Sequence, residues 1–143
     1  MARARVYLVP VDFSRGSEVA LQHAARLARE NRGKLLLVHV IAETLIYPTE
    51  GAFFDYFAMA EKDAREKMKR LTRRMRLKPR EYRTLFFSGG DTARVIANQA
   101  RRSRAAMIVM GSHGRTGLQR LMIGSVAERT IRYADRPVLI VKK

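Results

Sequence analysis

The chain has 143 residues, enough for one domain with a core of its own and too few for a second. It contains no cysteine, which removes disulfides, thiolate nucleophiles and thiolate-held metals, and no apolar run approaches the roughly 18 residues of a membrane-spanning helix. Its 29 Lys and Arg against 13 Asp and Glu give a formal charge of +16, 22 of the cations being Arg, so anionic partners are favoured; phosphorylated small molecules, nucleic acid and anionic lipid all stay open.

Met1-Ala2-Arg3-Ala4-Arg5 passes directly into an apolar segment, so no export leader is expected, and the single domain over 1–143 is expected in the cytoplasm. Val6 to Val11 reads as a strand. Ser14 reads as the N-cap of a helix running to about Asn31, with Ala20, Ala24, Leu27 and Ala28 on one face and Gly33 supplying the stop. Leu35 to Ile41 is a second strand, apolar almost throughout and therefore central. After an irregular stretch containing Pro48 and Gly51, a helix is predicted from about Phe54 to Met75, carrying the stripe Ala60, Ala64, Met68, Leu71 and Met75. Tyr82 to Phe87 is the third strand, and Asp91 caps a helix from Ala93 to Arg102 that turns Val95, Ile96 and Ala100 inward. Met107 to Met110 is the fourth strand, Ser125 to Tyr133 the fourth helix, and Val138 to Val141 a fifth strand entered through Pro137. Strands alternating with helices in this way predict a doubly wound, Rossmann-like α/β domain: a parallel sheet with helices on both faces.

The segment between the fourth strand and fourth helix carries the chemistry. Gly111 ends the strand, Gly114 follows where the backbone must turn sharply, and Gly124 precedes Ser125. Ser125-Val126-Ala127-Glu128 has the spacing of a capping box. Backbone N–H groups left bare by glycine, together with the positive end of a helix, hold anions. Arg115 and Arg120 add positive charge to the same segment. Asp12 follows the first strand, where a carboxylate either accepts hydrogen bonds from a ligand's hydroxyls or serves the turn into the first helix through Ser14.

Gly111, Gly114, Gly124 and Ser125 match G-x2-G-x9-G-[ST] at every position, and this segment resembles the nucleotide-binding signature of the universal stress protein family. The resemblance extends to Val9-Pro10-Val11-Asp12-Phe13-Ser14, to Leu37-Val38-His39-Val40 and to Arg136-Pro137-Val138-Leu139-Ile140-Val141, leaving out only the region from 41 to about 60. It implies the strand order 3-2-1-4-5, with a ligand crevice beyond the ends of strands one and four, and ATP, with AMP or ADP as alternatives, as the ligand. On the family's pattern Asp12 contacts ribose, the backbone of Val40 reads adenine, and Pro10 and Val11 wall the base. Met110, Gly111, His113, Gly114, Arg115, Gly124, Ser125 and Val126 complete the nucleotide-binding set, with the glycine loop, Ser125 and Arg115 toward the phosphates. Asp12 is the carboxylate available to a bridging Mg ion. The resemblance further implies a stress sensor or regulator that hydrolyses ATP slowly at most, and a homodimer, or a higher oligomer built on it, paired through the last strand.

Other readings stay in play. Efficient phosphoryl transfer has little to work with, since no lysine lies in the glycine loop and no second carboxylate lies near Asp12 in sequence, yet a slow ATPase or phosphotransferase and a nucleotide-independent basic module are the alternatives. His113 reaches phosphate or simply faces solvent, and His23 and His39 read as structural or exposed. Ser88-Gly89-Gly90-Asp91-Thr92 lacks the spacing of a pyrophosphatase loop and reads as a turn plus helix cap. The basic helix from Glu61 to Arg76 contains no aromatic residue, so any nucleic-acid binding is expected to be non-specific, and no membrane insertion is expected.

Overall fold

The computed structural model describes residues 3–43, 50–114 and 122–142. Along them run β1 (Val6–Pro10), α1 (Arg15–Glu30), β2 (Lys34–Ile41), α2 (Glu50–Arg74), a 3-10 turn (Pro79–Glu81), β3 (Tyr82–Ser88), α3 (Thr92–Ser103), β4 (Met107–Gly111), α4 (Ser125–Tyr133) and β5 (Val138–Val141). The strands form one parallel sheet in the order β3-β2-β1-β4-β5, and the winding reverses between β1 and β4. The predicted order and alternation are what the structure has. The helix α2 begins at Glu50, ahead of the predicted Phe54, and takes Gly51 into its first turn. Glycine costs about 1 kcal/mol against alanine inside a helix, less than the packed stripe farther along this long helix returns. That stripe is Ala64, Met68 and Leu71, all nearly inaccessible.

Both faces of the sheet are closed, which is why its central strands read as continuous apolar runs instead of alternating. On one face Tyr7, Val9, Leu35 and Leu37 meet Ala20, Leu21 and Ala24 of α1 and Met68 and Leu71 of α2. On the other Leu8, Leu36, Val38 and Ile108 meet Ile96 and Ala100 of α3 and Ala127 of α4. Leu8 and Val9, neighbours in β1 that point to opposite faces, are both 0 % exposed. Burying one such side chain contributes about 1.5–3 kcal/mol.

Three helices end in the same way. After α1 the Gly33 N–H donates to Ala28 O at 2.7 Å, after α2 Leu77 N–H to Thr72 O at 3.0 Å, and after α3 Ala105 N–H to Ala100 O at 2.9 Å. These are Schellman closures, which place one residue in the left-handed region, most often glycine. Here the left-handed residues are Arg32, Arg76 and Arg104, at φ 51°, 53° and 53°. Each costs about 1–2 kcal/mol through the clash of Cβ with the following carbonyl. The expectation that Gly33 stops α1 is therefore corrected: Arg32 makes the left-handed turn, and Gly33 is glycine because a Cβ there would lie 2.6 Å from Arg5 O.

Candidate functional site

The crevice begins with a missing donor. Val11 N–H donates to Val38 O of β2 at 2.8 Å, and because successive residues of a strand face opposite neighbours, the nitrogen of Pro10 faces β4. Proline has no N–H to give. The β1–β2 ladder runs from Val6 to Pro10, whereas β1–β4 pairing is confined to Tyr7↔Met107 and Leu8↔Ile108. The two strands that meet at the winding reversal thus part toward their carboxyl ends, where open α/β sheets take ligands.

Glycines then bring the walls together. A Cβ on Gly16, in the first turn of α1, would lie 2.6 Å from His113 O, and one on Gly111 would lie 2.8 Å from the carbonyl carbon of Gly16. Backbone therefore touches backbone where α1 crosses the end of β4. A Cβ on Gly124 would lie 3.1 Å from Ser112 O, the same oxygen that accepts the Gly124 N–H at 2.6 Å. That bond ties the start of α4 to the end of β4. A Cβ on Gly114 would lie 2.7 Å from Asp12 Oδ2. None of Gly16, Gly111, Gly114 and Gly124 has a left-handed φ, so these glycines serve space and not the sharp turn expected at Gly114.

Asp12 divides its two oxygens. Oδ1 accepts the Ser14 N–H at 3.0 Å, an Asx turn leading into α1, while Oδ2 faces Gly114 across the crevice. Both sequence readings of this carboxylate are thus compatible, one for each oxygen. Ser14 caps α1 as predicted, its hydroxyl accepting the Ser17 N–H at 3.2 Å. Between them Phe13 sits at φ 65°, a left-handed conformation rare for a bulky residue. Its ring lies 4.8 Å from that of His39, and His39 Nδ1 donates to Val11 O at 2.6 Å. The acceptor is a carbonyl, so Nδ1 carries the proton. His39 is buried and structural, one of the two roles expected of it.

The remaining predicted residues divide by what they expose. Val11 and Met110 are 2 % and 5 % exposed with side chains in the core, so each reaches a ligand only through its backbone. Val40, half-buried near the end of β2, pairs with Phe87 of β3. Val126 and Ser125 are exposed in the first turn of α4. His113 Nδ1 lies 3.0 Å from Ser112 Oγ, and its Nε2 is buried with no hydrogen-bond partner among the described residues. Arg115 and Arg120, like Pro48, lie outside the described residues. The capping box expected at Ser125 is not formed. The N-cap is Gly124, with no side-chain cap bond, and Ser125 is the first helical residue. The helix spans the predicted Ser125–Tyr133, but the Gly124 N–H goes to Ser112 O, and Gly124 takes the N-cap position that the box assigns to Ser125. The first amides of α4, which no helix can satisfy internally, accordingly receive no cap from that residue.

Two site residues escape the sequence reading. Gly16 left one signal, a glycine in the first turn of a predicted helix; Phe13 left none, because nothing in a local pattern predicts an aromatic residue in the left-handed region. A hollow of about 260 Å³ lies elsewhere, between β3 and α3, lined by Phe87, Val95, Asn98, Gln99, Arg101 and Arg102. It includes none of the predicted site residues.

The chain is similar to known proteins over nearly its whole length. The model of the universal stress protein family matches residues 4–142. Universal stress protein MJ0531 of Methanocaldococcus jannaschii is 32 % identical over 138 residues, which are 95 % of this chain and 81 % of the relative. The solved structure of MJ0577, from the same organism, superposes with a TM-score of 0.86 at 29 % identity, covering 97 % of this chain and 96 % of that one. The universal stress protein from Archaeoglobus fulgidus, solved in complex with dAMP, superposes with a TM-score of 0.68 at 23 % identity, covering 99 % of this chain and 100 % of that one.

Proposed function

The chain belongs to the universal stress protein family, and from that premise we propose that it binds an adenine nucleotide, ATP ahead of AMP or ADP, in the crevice between the carboxyl ends of β1 and β4. The observation that carries this reading is the set of glycine contacts around Asp12: close backbone approaches at Gly16, Gly111 and Gly124 fix α1, the end of β4 and the start of α4 against one another, and Gly114 admits the Asp12 Oδ2 oxygen beside the end of β4. The ribose hydroxyls donate to Asp12 Oδ2, the base lies along the backbone of Pro10, Val11 and Val40, and the phosphates meet the amides from Gly114 and of the first turn of α4. Ser125 and His113 Nε2 supply further polar atoms there, and Arg115 adds charge. Among the described residues no three His, Cys, Asp or Glu side chains converge. A Mg ion would therefore be held mainly by phosphate oxygens and water, with Asp12 assisting, and would neutralise phosphate charge.

The nucleotide serves as a signal for a cytoplasmic stress regulator, with hydrolysis slow at most. Asp12 Oδ1 is committed to the turn, and a general base needs a proton within reach and an oxygen able to take it. Steady-state turnover above about 1 s⁻¹, the low end of ordinary enzymes, would make the protein an ATPase instead.

Asp12→Asn separates the two oxygens of this residue, since the amide carbonyl keeps the Ser14 bond while its NH2 no longer accepts from ribose. ATP affinity should fall by about 1–3 kcal/mol, the scale of a hydrogen bond to a charged group. Titration calorimetry finding wild-type affinity in both Asp12→Asn and Asp12→Ala would remove the ribose contact.

The same reading makes the protein a homodimer through β5. That strand is a sheet edge, and unpaired edges are normally covered. Six of the seven large apolar side chains that the described residues expose lie between Met122 and Leu139, around α4 and β5. Deleting 137–143 would test this poorly, because Val141 is buried and its carbonyl accepts the Ser112 N–H at 3.2 Å. The amide of Val138 faces outward instead. Val138→Pro should give a folded monomer by light scattering; an intact dimer would put the interface elsewhere.

A further inference from the structure

The positive charge of this chain is not spread evenly. In a parallel sheet every strand starts at the same end, so the segments leading into β1 to β5 gather on one surface, opposite the crevice. Those segments, 3–5, 29–34, 73–82, 101–106 and 132–137, hold fifteen of the 29 Lys and Arg and three of the 13 Asp and Glu. Two of the three acids are taken up by pairing: Glu81 accepts from Arg29 at 2.9 Å, and Asp135 lies 3.2 Å from Arg136. The Arg29 guanidinium holds the Glu81 carboxyl below its ordinary range, and the Lys78 amide adds to the effect.

Three of the cations sit where the backbone disfavours them. Arg32, Arg76 and Arg104 close α1, α2 and α3 in the left-handed conformation, at positions where glycine is the usual residue, and all three are exposed and in no ion pair among the described residues. A compositional excess of arginine would fall on any exposed position; it has no reason to fall on the three left-handed closures of one end. Helix C-termini do attract cations, but Arg29, Arg73, Arg74, Arg101 and Arg102 already occupy the last turns.

We propose that this end of the sheet is a docking surface for the phosphate backbone of double-stranded nucleic acid, read without sequence preference. Five strands about 4.8 Å apart make the surface roughly 20 Å wide, about six base-pair steps of duplex. Arginine forks match phosphate oxygens bidentately, which lysine does not. A lipid surface fits less well, since binding there needs apolar anchors as well as charge. Of the large apolar side chains that the described residues expose, Tyr133 alone lies in these segments, and the Arg94 guanidinium stacks over its ring at 4.3 Å.

The test is the triple variant Arg32→Gly, Arg76→Gly, Arg104→Gly, assayed by fluorescence anisotropy on a labelled duplex across a salt series. Glycine suits all three conformations, so the melting temperature should stay at or above that of the wild type, and weaker binding cannot be put down to misfolding. If each arginine meets one phosphate, the log-log salt slope should flatten by about 0.9 for each arginine replaced, and affinity at 0.15 M salt should fall on the order of 100-fold. Scrambling the duplex sequence should change nothing, and saturating ATP should not compete, because the crevice lies at the opposite end. Unchanged duplex affinity in the triple variant would overturn the proposal. So would competition by ATP, or tighter binding to phosphatidylserine vesicles than to duplex.

Discussion

Gly114→Val should abolish ATP binding and leave the fold standing. The new Cβ would lie 2.7 Å from Asp12 Oδ2, a distance no carbon tolerates, so either the carboxylate rotates away or the segment after β4 withdraws. The first outcome removes the oxygen assigned to ribose, and the second removes the amides assigned to phosphate. Neither reaches the core, since Gly114 is exposed and the atom it would meet is the end of a side chain. Titration calorimetry should therefore detect no heat of ATP binding while circular dichroism and melting temperature stay close to the wild type. Wild-type affinity in this variant would mean that the glycine segment is not where the nucleotide sits.

Gly16→Ala carries the second large effect, and its sign is informative. Helix propensity alone predicts that alanine stabilises α1 by about 1 kcal/mol. The packing predicts the opposite, because the added atom would lie 2.6 Å from His113 O, with Gly111 closing the same gap from β4. That oxygen is backbone, which cannot turn aside as a side chain can. Overpacking of this kind costs about 1–3 kcal/mol, which for a domain of this size lowers the melting temperature by several degrees. The displaced turn would also carry Asp12 and Ser14 out of register with the segment after β4, so ATP affinity should fall with stability. A Gly16→Ala protein that melts higher than the wild type would show that α1 does not approach β4 so closely.

The two glycine variants act differently because the residues do different work. Gly114 admits the carboxylate that the nucleotide is proposed to meet, whereas Gly16 lets two stretches of backbone close. Spacing from Gly111 and Gly124 marked the first along the chain, and nothing comparable marked the second.

Local periodicity is what the sequence by itself determined. Apolar runs too short for helices, stripes at helical spacing, and the caps Ser14 and Asp91 define five strands and four helices in alternation, because each depends only on neighbours along the chain. The glycine spacing and Asp12 at the end of β1 likewise point to the proposed crevice, since the ends of strands in a doubly wound sheet have a known position once the strands are found. Tertiary structure decided the rest, where segments distant in sequence meet. The glycines at 16, 111, 114 and 124 are required by approaches between β1, α1, β4 and α4, not by their own φ. Left-handed φ falls on Gly89 and Gly90, where glycine is at home, and also on Phe13, Arg32, Arg76 and Arg104, against the intrinsic preference of those four residues. The capping box at Ser125 gave way to a hydrogen bond from Gly124 to Ser112. The gathering of arginines at one end of the sheet is equally invisible along the chain, because parallel topology alone brings together five segments that the sequence keeps apart.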